Sequence, residues 1–388
     1  MGLVDTGATG VGLDSNGQIV DYGALYGVEA NIGAYGSREW RRSRFGLDYQ
    51  GNYRAYTNNS FLNGSDHFIG MDYTRQVTRK ATVQFRGTGG TSSRAVGGVL
   101  SNQLLNTGAL GIPINDLFDN RSYFADISGS LILQIGARNS VSMGGAGFAV
   151  RRQSAILVGL NGTRAFADIA RRVSRRTSIG LSYSYFHVDY PRVFGEADSH
   201  TAMLQFSRQI GRDWLLSLAG GAFYTDFAGT RTVQLDPVIA ELLGQTTGRE
   251  AFNAINLQSA FMATLARNWR RSALTASYQR GSNPGNGFLL LSRQENLTVS
   301  YTYNNGSRLS VGGNGTWWST TGMGGFAGNF RSYGAGTTLS YRLTEMLFLT
   351  SQLDVRQFSS GSSNFNRLGT RVALGLAFSP GELPLSLR

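Results

Sequence analysis

The residues that could do chemistry are few. His67 follows Asp66, His187 sits in Tyr185-Phe186-His187-Val188-Asp189-Tyr190, and His200 follows Ser199. A Ser-His-acid site is defined by geometry, and with serine this abundant such adjacencies arise by chance. Each histidine reads as a rim or loop polar residue, and three isolated histidines give no metal-ligand spacing. The chain has no cysteine, which removes thiol nucleophiles, disulfides and cysteine-type zinc sites. Gly87-Thr88-Gly89-Gly90 and Gly312-Gly313-Asn314-Gly315 lack the following helix and Lys-Ser/Thr of a phosphate cradle. No enzyme, metal or cofactor is expected.

Arginine is the remaining reagent. Lysine and arginine total 36 against 24 acids, a formal charge of +12, and Lys80 is the one lysine. A guanidinium offers a planar fork suited to carboxylate and phosphate. The basic residues cluster at Arg38, Arg41, Arg42 and Arg44, then Arg75, Arg79 and Lys80, then Arg171, Arg172, Arg175 and Arg176, then Arg208 and Arg212, then Arg267, Arg270 and Arg271. No helix-turn-helix, zinc or RNP-like motif accompanies them, so nucleic acid is not the expected partner.

The elements that must position these side chains are strands. From Arg44 to Tyr56, Phe45, Leu47, Tyr49, Gly51, Tyr53 and Ala55 share one face and Arg44, Asp48, Gln50, Asn52 and Arg54 the other. The same period of two sets Ala81, Val83 and Phe85 against Thr82, Gln84 and Arg86. It sets Leu347, Leu349, Leu353 and Val355 against Thr350, Gln352, Asp354 and Arg356. Runs of about 10 to 15 residues exceed soluble strands, and about 9 to 11 tilted residues cross a bilayer. Short connections are predicted near Ser37-Arg38-Glu39, Thr78-Arg79-Lys80, Ala137-Arg138-Asn139, Ser174-Arg175-Arg176, Gly211-Arg212-Asp213, Trp269-Arg270-Arg271, Asn305-Gly306-Ser307 and Thr344-Glu345, with longer links between them. That asymmetry, with a lipid-suited and a water-suited face, predicts an all-β, transmembrane, antiparallel up-and-down barrel with its short turns periplasmic.

About 17 segments begin near Tyr22, and even strand numbers are the bacterial rule. The expectation is 16 to 18 strands, 18 preferred, with the stretch from Gly10 to Val20 as the extra one. The whole of 1–388 reads as one barrel, 1–21 being an N-terminal segment or that strand. Two long apolar links, 96–120 and 233–250, are expected to fold into the mouth or pack on a partner. Within the second, Asp236 to Gly244 reads as a short capped helix. Glycine at 52 residues and proline at 6 argue against a helical bundle. The N-terminus, Met1-Gly2-Leu3-Val4-Asp5, lacks the basic and apolar regions of a secretory signal, which an exported barrel needs.

The last strand, Arg367-Leu368-Gly369-Thr370-Arg371-Val372-Ala373-Leu374 continuing to Phe378, resembles the C-terminal assembly signal of outer-membrane β-barrel proteins, with Gly369, Val372, Leu374 and Phe378 as its signal positions. It departs from that pattern by running on through Ser379 to Arg388. The whole chain looks like a porin-type barrel, and its size and cationic lumen are similar to barrels that export acidic exopolysaccharide. The resemblance implies a bacterial outer-membrane location and the barrel-assembly machinery as a partner.

The charge pattern then has two readings. Arg41, Arg42, Arg79, Arg172, Arg175, Arg176, Arg270 and Arg271 form a periplasmic rim whose cations can snorkel to phospholipid headgroups. Continued inward by Arg44, Arg54, Arg86 and Arg356, the same rim would concentrate anions at a pore. The expected function is a channel favouring anionic solutes. The alternatives are an export barrel for acidic glycans, or a plugged barrel whose long loops dock envelope or surface proteins.

Overall fold

The computed structural model of the protein describes residues 2–5, 11–13, 19–21, 25–57, 63–92, 121–153, 157–285, 289–306, 308–323, 328–360 and 366–379. The first three strands are short: β1 Gly2–Asp5, β2 Val11–Leu13 and β3 Ile19–Asp21. Seventeen long ones follow. These are β4 Leu25–Trp40, β5 Ser43–Tyr56, β6 Gly64–Thr78, β7 Ala81–Ser92, β8 Ser122–Gln134, β9 Asn139–Arg152, β10 Leu160–Arg172, β11 Thr177–Asp189 and β12 Gly195–Ile210. The remainder are β13 Trp214–Gln234, β14 Thr247–Asn268, β15 Ser272–Asn283, β16 Ser292–Asn305, β17 Leu309–Gly322, β18 Asn329–Arg342, β19 Leu347–Ser360 and β20 Asn366–Phe378.

β4 to β20 pair antiparallel with their sequence neighbours, and β1 closes the ring between β20 and β4, giving one 18-stranded sheet. Closure needs that eighteenth strand. With seventeen up-and-down strands, β4 and β20 run the same way, and only a strand of opposite direction can join them in an antiparallel ladder. Gly2–Asp5 supplies it, pairing with Arg371 to Leu374 on one side and Leu25 to Val28 on the other. The sequence reading placed this strand at Gly10 to Val20. Instead Val11–Leu13 and Ile19–Asp21 pair with each other in a separate two-stranded sheet, residues 14–18 lying outside the described ones.

Seven of the eight expected tight connections fall on turns, at residues 79–80, 135–138, 173–176, 211–213, 269–271, 306 with 308, and 343–346, Ser307 lying outside the described residues. The first is displaced: Ser37, Arg38 and Glu39 continue β4, and the chain turns at Arg41 and Arg42. The outward faces carry exposed apolar side chains such as Phe45, Leu47, Ile69, Phe85, Leu181, Leu204 and Leu353. An apolar belt around a polar interior is the surface of a transmembrane barrel. Arg267, outward on β14, lies 4.7 Å from the Trp214 ring and 4.3 Å from that of Trp269, a cation held among indoles at the short-turn end.

The link 233–250 extends the β13–β14 hairpin. β13 and β14 stay paired out to Gln234 and Thr247, and Pro237–Leu243 forms helix α1 at the tip, with Asp236 accepting from the Val238 amide and Gly244 left-handed at φ 65°. The strand ladder satisfies its own backbone, so the hairpin needs no support from the lumen. The other link, 96–120, lies outside the described residues.

Candidate functional site: the lumen and its mouth

Register places Arg44, Arg54, Arg86 and Arg356 all on the inward face, but they are not equivalent. Arg54 is 1 % exposed along its side chain and ion-paired with Asp66 at 2.7 Å, so its charge is neutralised within the wall. Arg44 donates to the Tyr35 hydroxyl at 2.6 Å and lies 3.8 Å from Glu39. Arg86 stands directly across the ladder from Asp72. Arg164, which the sequence reading did not single out, also faces inward, on β10.

Carboxylates interleave with these arginines. Asp48 accepts from Gln50 at 3.1 Å, Asp168 from Ser142 at 3.2 Å and Gln205 at 3.4 Å, and Asp354 from Gln352 at 2.6 Å. Beside the closing strand, Glu29 of β4 joins Asn52 of β5 and Arg371 of β20, so one buried carboxylate ties the strands on either side of β1. The lining thus carries both signs of charge, with Asp48 and Asp354 on the face where alternation put them. The β15–β18 wall differs again. Its inward residues include Thr275, Ser277, Gln279, Asn296, Thr298, Ser300, Asn314, Thr316 and Thr338, all hydroxyls or amides.

The mouth holds the apolar cluster. Inward-facing Val150, Leu160, Val188, Ala197 and Phe227, from β9 to β13, pack with Tyr190 and with Leu290 and Leu291. The next residue back, Leu289, packs instead with Phe330 and Phe358 of β18 and β19. Residues 289–291, which lead into β16, therefore reach inward and touch two arcs of the wall. Gly285 turns the chain at φ +93°, where a Cβ would lie 2.0 Å or less from the Leu289 and Leu290 carbonyl oxygens. The Tyr190 hydroxyl meets the Pro284 and Leu290 carbonyls at 2.8 and 2.6 Å. Burial pushes that hydroxyl far above the ordinary phenol range, with Arg152 acting the other way, so it remains a donor.

At the opposite end the short turns carry Arg41, Arg42, Arg79, Lys80, Arg138, Arg175, Arg176, Arg212, Arg270, Arg271 and Arg308 against Asp213 and Glu345. Arg172, at the end of β10, donates to the Ala137 carbonyl at 2.9 Å. Val372, Leu374 and Phe378 point outward on β20, and Gly369 inward. All three histidines lie on the outer face. His67 meets the Tyr49 hydroxyl at 3.0 Å and His200 that of Tyr183 at 2.7 Å.

The closed antiparallel ladder decides the fold class. The chain has the fold of bacterial outer-membrane β-barrels. Among solved structures it is similar to the FrpB iron transporter of Neisseria meningitidis, at 10% identity and a TM-score of 0.46, covering 86% of this chain and 60% of that one. It is similar to the copper transporter OprC at 10% identity and 0.49, covering 92% and 66%. It is also similar to Pseudomonas aeruginosa OccK2 in complex with glucuronate, at 12% identity and 0.43, covering 97% and 95%. No protein-family model and no curated sequence matches the chain.

Proposed function

We propose that the protein is an outer-membrane channel for small acidic, hydroxyl-rich solutes, sugar acids being the simplest chemistry of that kind. The observation that carries this reading is the two-sided lumen. Arg44, Arg86 and Arg164 present guanidinium groups on one side, and the β15–β18 wall presents uncharged hydroxyls and amides on the other. A guanidinium fork takes a carboxylate, and a hydroxyl and amide wall trades hydrogen bonds with a polyol. The basic short-turn rim raises local anion concentration at that end. The interleaved carboxylates argue for mild selectivity, and the inward segment at residues 289–291 favours a small solute over a polymer.

A second reading, a barrel that anchors other surface components and passes nothing, draws on the same apolar cluster at the mouth. Reconstitution in a planar bilayer under a salt gradient separates the two. The channel reading expects current with a reversal potential on the anion side, and glucuronate permeating faster than a cationic solute of equal size. Cation selectivity, or silence that persists when the Tyr190 anchor is removed, refutes it.

A further inference from the structure

On the outer wall, away from the lumen, the loop ends of β11, β12 and β13 gather acidic groups around one histidine. His187 stands opposite Asp198, Asp189 opposite Glu196, and Asp198 in turn opposite Asp226. Carboxylates directly across a ladder repel, and here two such pairs lie side by side. Asp198 has a defined task. It accepts from the Tyr185 hydroxyl at 2.5 Å and lies 3.1 Å from His187 Nδ1.

Asp198 faces Nδ1 of the His187 ring, and Nε2 on its other side faces Asp189 Oδ1 at 3.4 Å. One donor atom from each of His187, Asp189 and Glu196 lies within 4.8 Å of the others. In tetrahedral zinc sites, bonds of about 2.0–2.2 Å put neighbouring donor atoms roughly 3.3–3.5 Å apart. A carboxylate on the far ring nitrogen is the usual way a ligating histidine is oriented.

We propose that His187, Asp189 and Glu196 form a surface site for a zinc-type divalent cation, with Asp198 as the residue that positions the imidazole. Sequence spacing hides the set because Glu196 comes from the next strand. The site leaves a fourth position open to solvent. It would also staple the base of the turn that carries Tyr190, since Asp189 and Glu196 flank that turn.

The test is metal titration of the full chain, chelator-stripped and folded in detergent micelles, with Zn2+ by calorimetry and Co2+ by visible absorbance. The site predicts one Zn2+ per chain and the intense Co2+ bands of four-coordinate geometry. His187→Ala and Glu196→Gln should each weaken binding at least about tenfold, and Asp198→Asn about 10- to 100-fold. His67→Ala and His200→Ala should leave it unchanged. Glu196 is exposed, so Glu196→Gln tests the site without threatening the fold. No binding, binding that survives His187→Ala and Glu196→Gln, or preference for Mg2+ or Ca2+ over Zn2+ would overturn the proposal.

Discussion

The Tyr190 hydroxyl lies 2.6 Å from the carbonyl oxygen of Leu290, one hundred positions further along the chain. This contact ties the β11–β12 turn to the segment that enters the mouth. Tyr190→Phe keeps the ring in its apolar cluster and removes only the donor. Loss of one such bond, about 1 kcal/mol, shifts a closed-to-open ratio roughly fivefold. Single-channel records of the variant should show more frequent openings. An unchanged record would mean that residues 289–291 are not the constriction.

The same substitution has a pH signature. Burial raises the folded Tyr190 pKa, so the fold favours the protonated donor. Its contribution is whole below the unfolded value of about 10 and is lost only as pH rises through the higher folded value. The difference between wild type and Tyr190→Phe should therefore be equal at about pH 5 and about pH 9. A difference that fades within that window would show the hydroxyl to be solvated.

Arg86 and Asp72 face each other across β6 and β7 in the lumen. Arg86→Ala should move the reversal potential toward cations and Asp72→Asn toward anions, each by a severalfold change in permeability ratio. Opposite signs are the point. Two shifts in the same direction would mean that pore geometry rather than fixed charge sets selectivity.

Arg54 and Asp66 form a pair with side chains 1 % and 5 % exposed. Removing one partner strands the other charge, so Arg54→Ala should cost about 3–5 kcal/mol of stability, whereas replacing both with leucine should be nearly neutral. Denaturant unfolding in micelles measures both. If the double replacement loses as much as the single one, the pair contributes more than mutual neutralisation.

Arg267 between Trp214 and Trp269 is a smaller case. Arg267→Ala should lower stability by about 0.5–2 kcal/mol in lipid vesicles, with lysine intermediate. Equal values for alanine and lysine would point to packing by the guanidinium plane and not to its charge.

Much of this fold was legible because alternation repeats. Phe45 to Ala55 and Leu347 to Val355 were assigned to the outer face from period two alone, and register agrees. Gly2–Asp5 was missed because four residues are too few to show a period. In the stretch 233–250 the capped helix was legible, but not the strand extension that holds it at a hairpin tip with Leu242 81 % exposed. Leu289-Leu290-Leu291 did leave a trace, three consecutive leucines where a two-faced strand would alternate. The neutralisation of Arg54 left none, since Asp66 comes from the neighbouring strand. Nor could spacing reveal the set of His187, Asp189 and Glu196.

Leu289 on one arc of the wall and Leu290 and Leu291 on the other make that segment a beam seated at both ends. A flap swings from one hinge, but a beam must be unseated before it can move, and the seat that fails first decides which way it swings. Damage at Phe330 or Phe358 would leave it hanging from the Tyr190 side. Damage at Val188 or Tyr190 would leave it hanging from β18 and β19. Lesions at the two seats of one short segment would thus open different halves of the same aperture, and their combination would free it altogether.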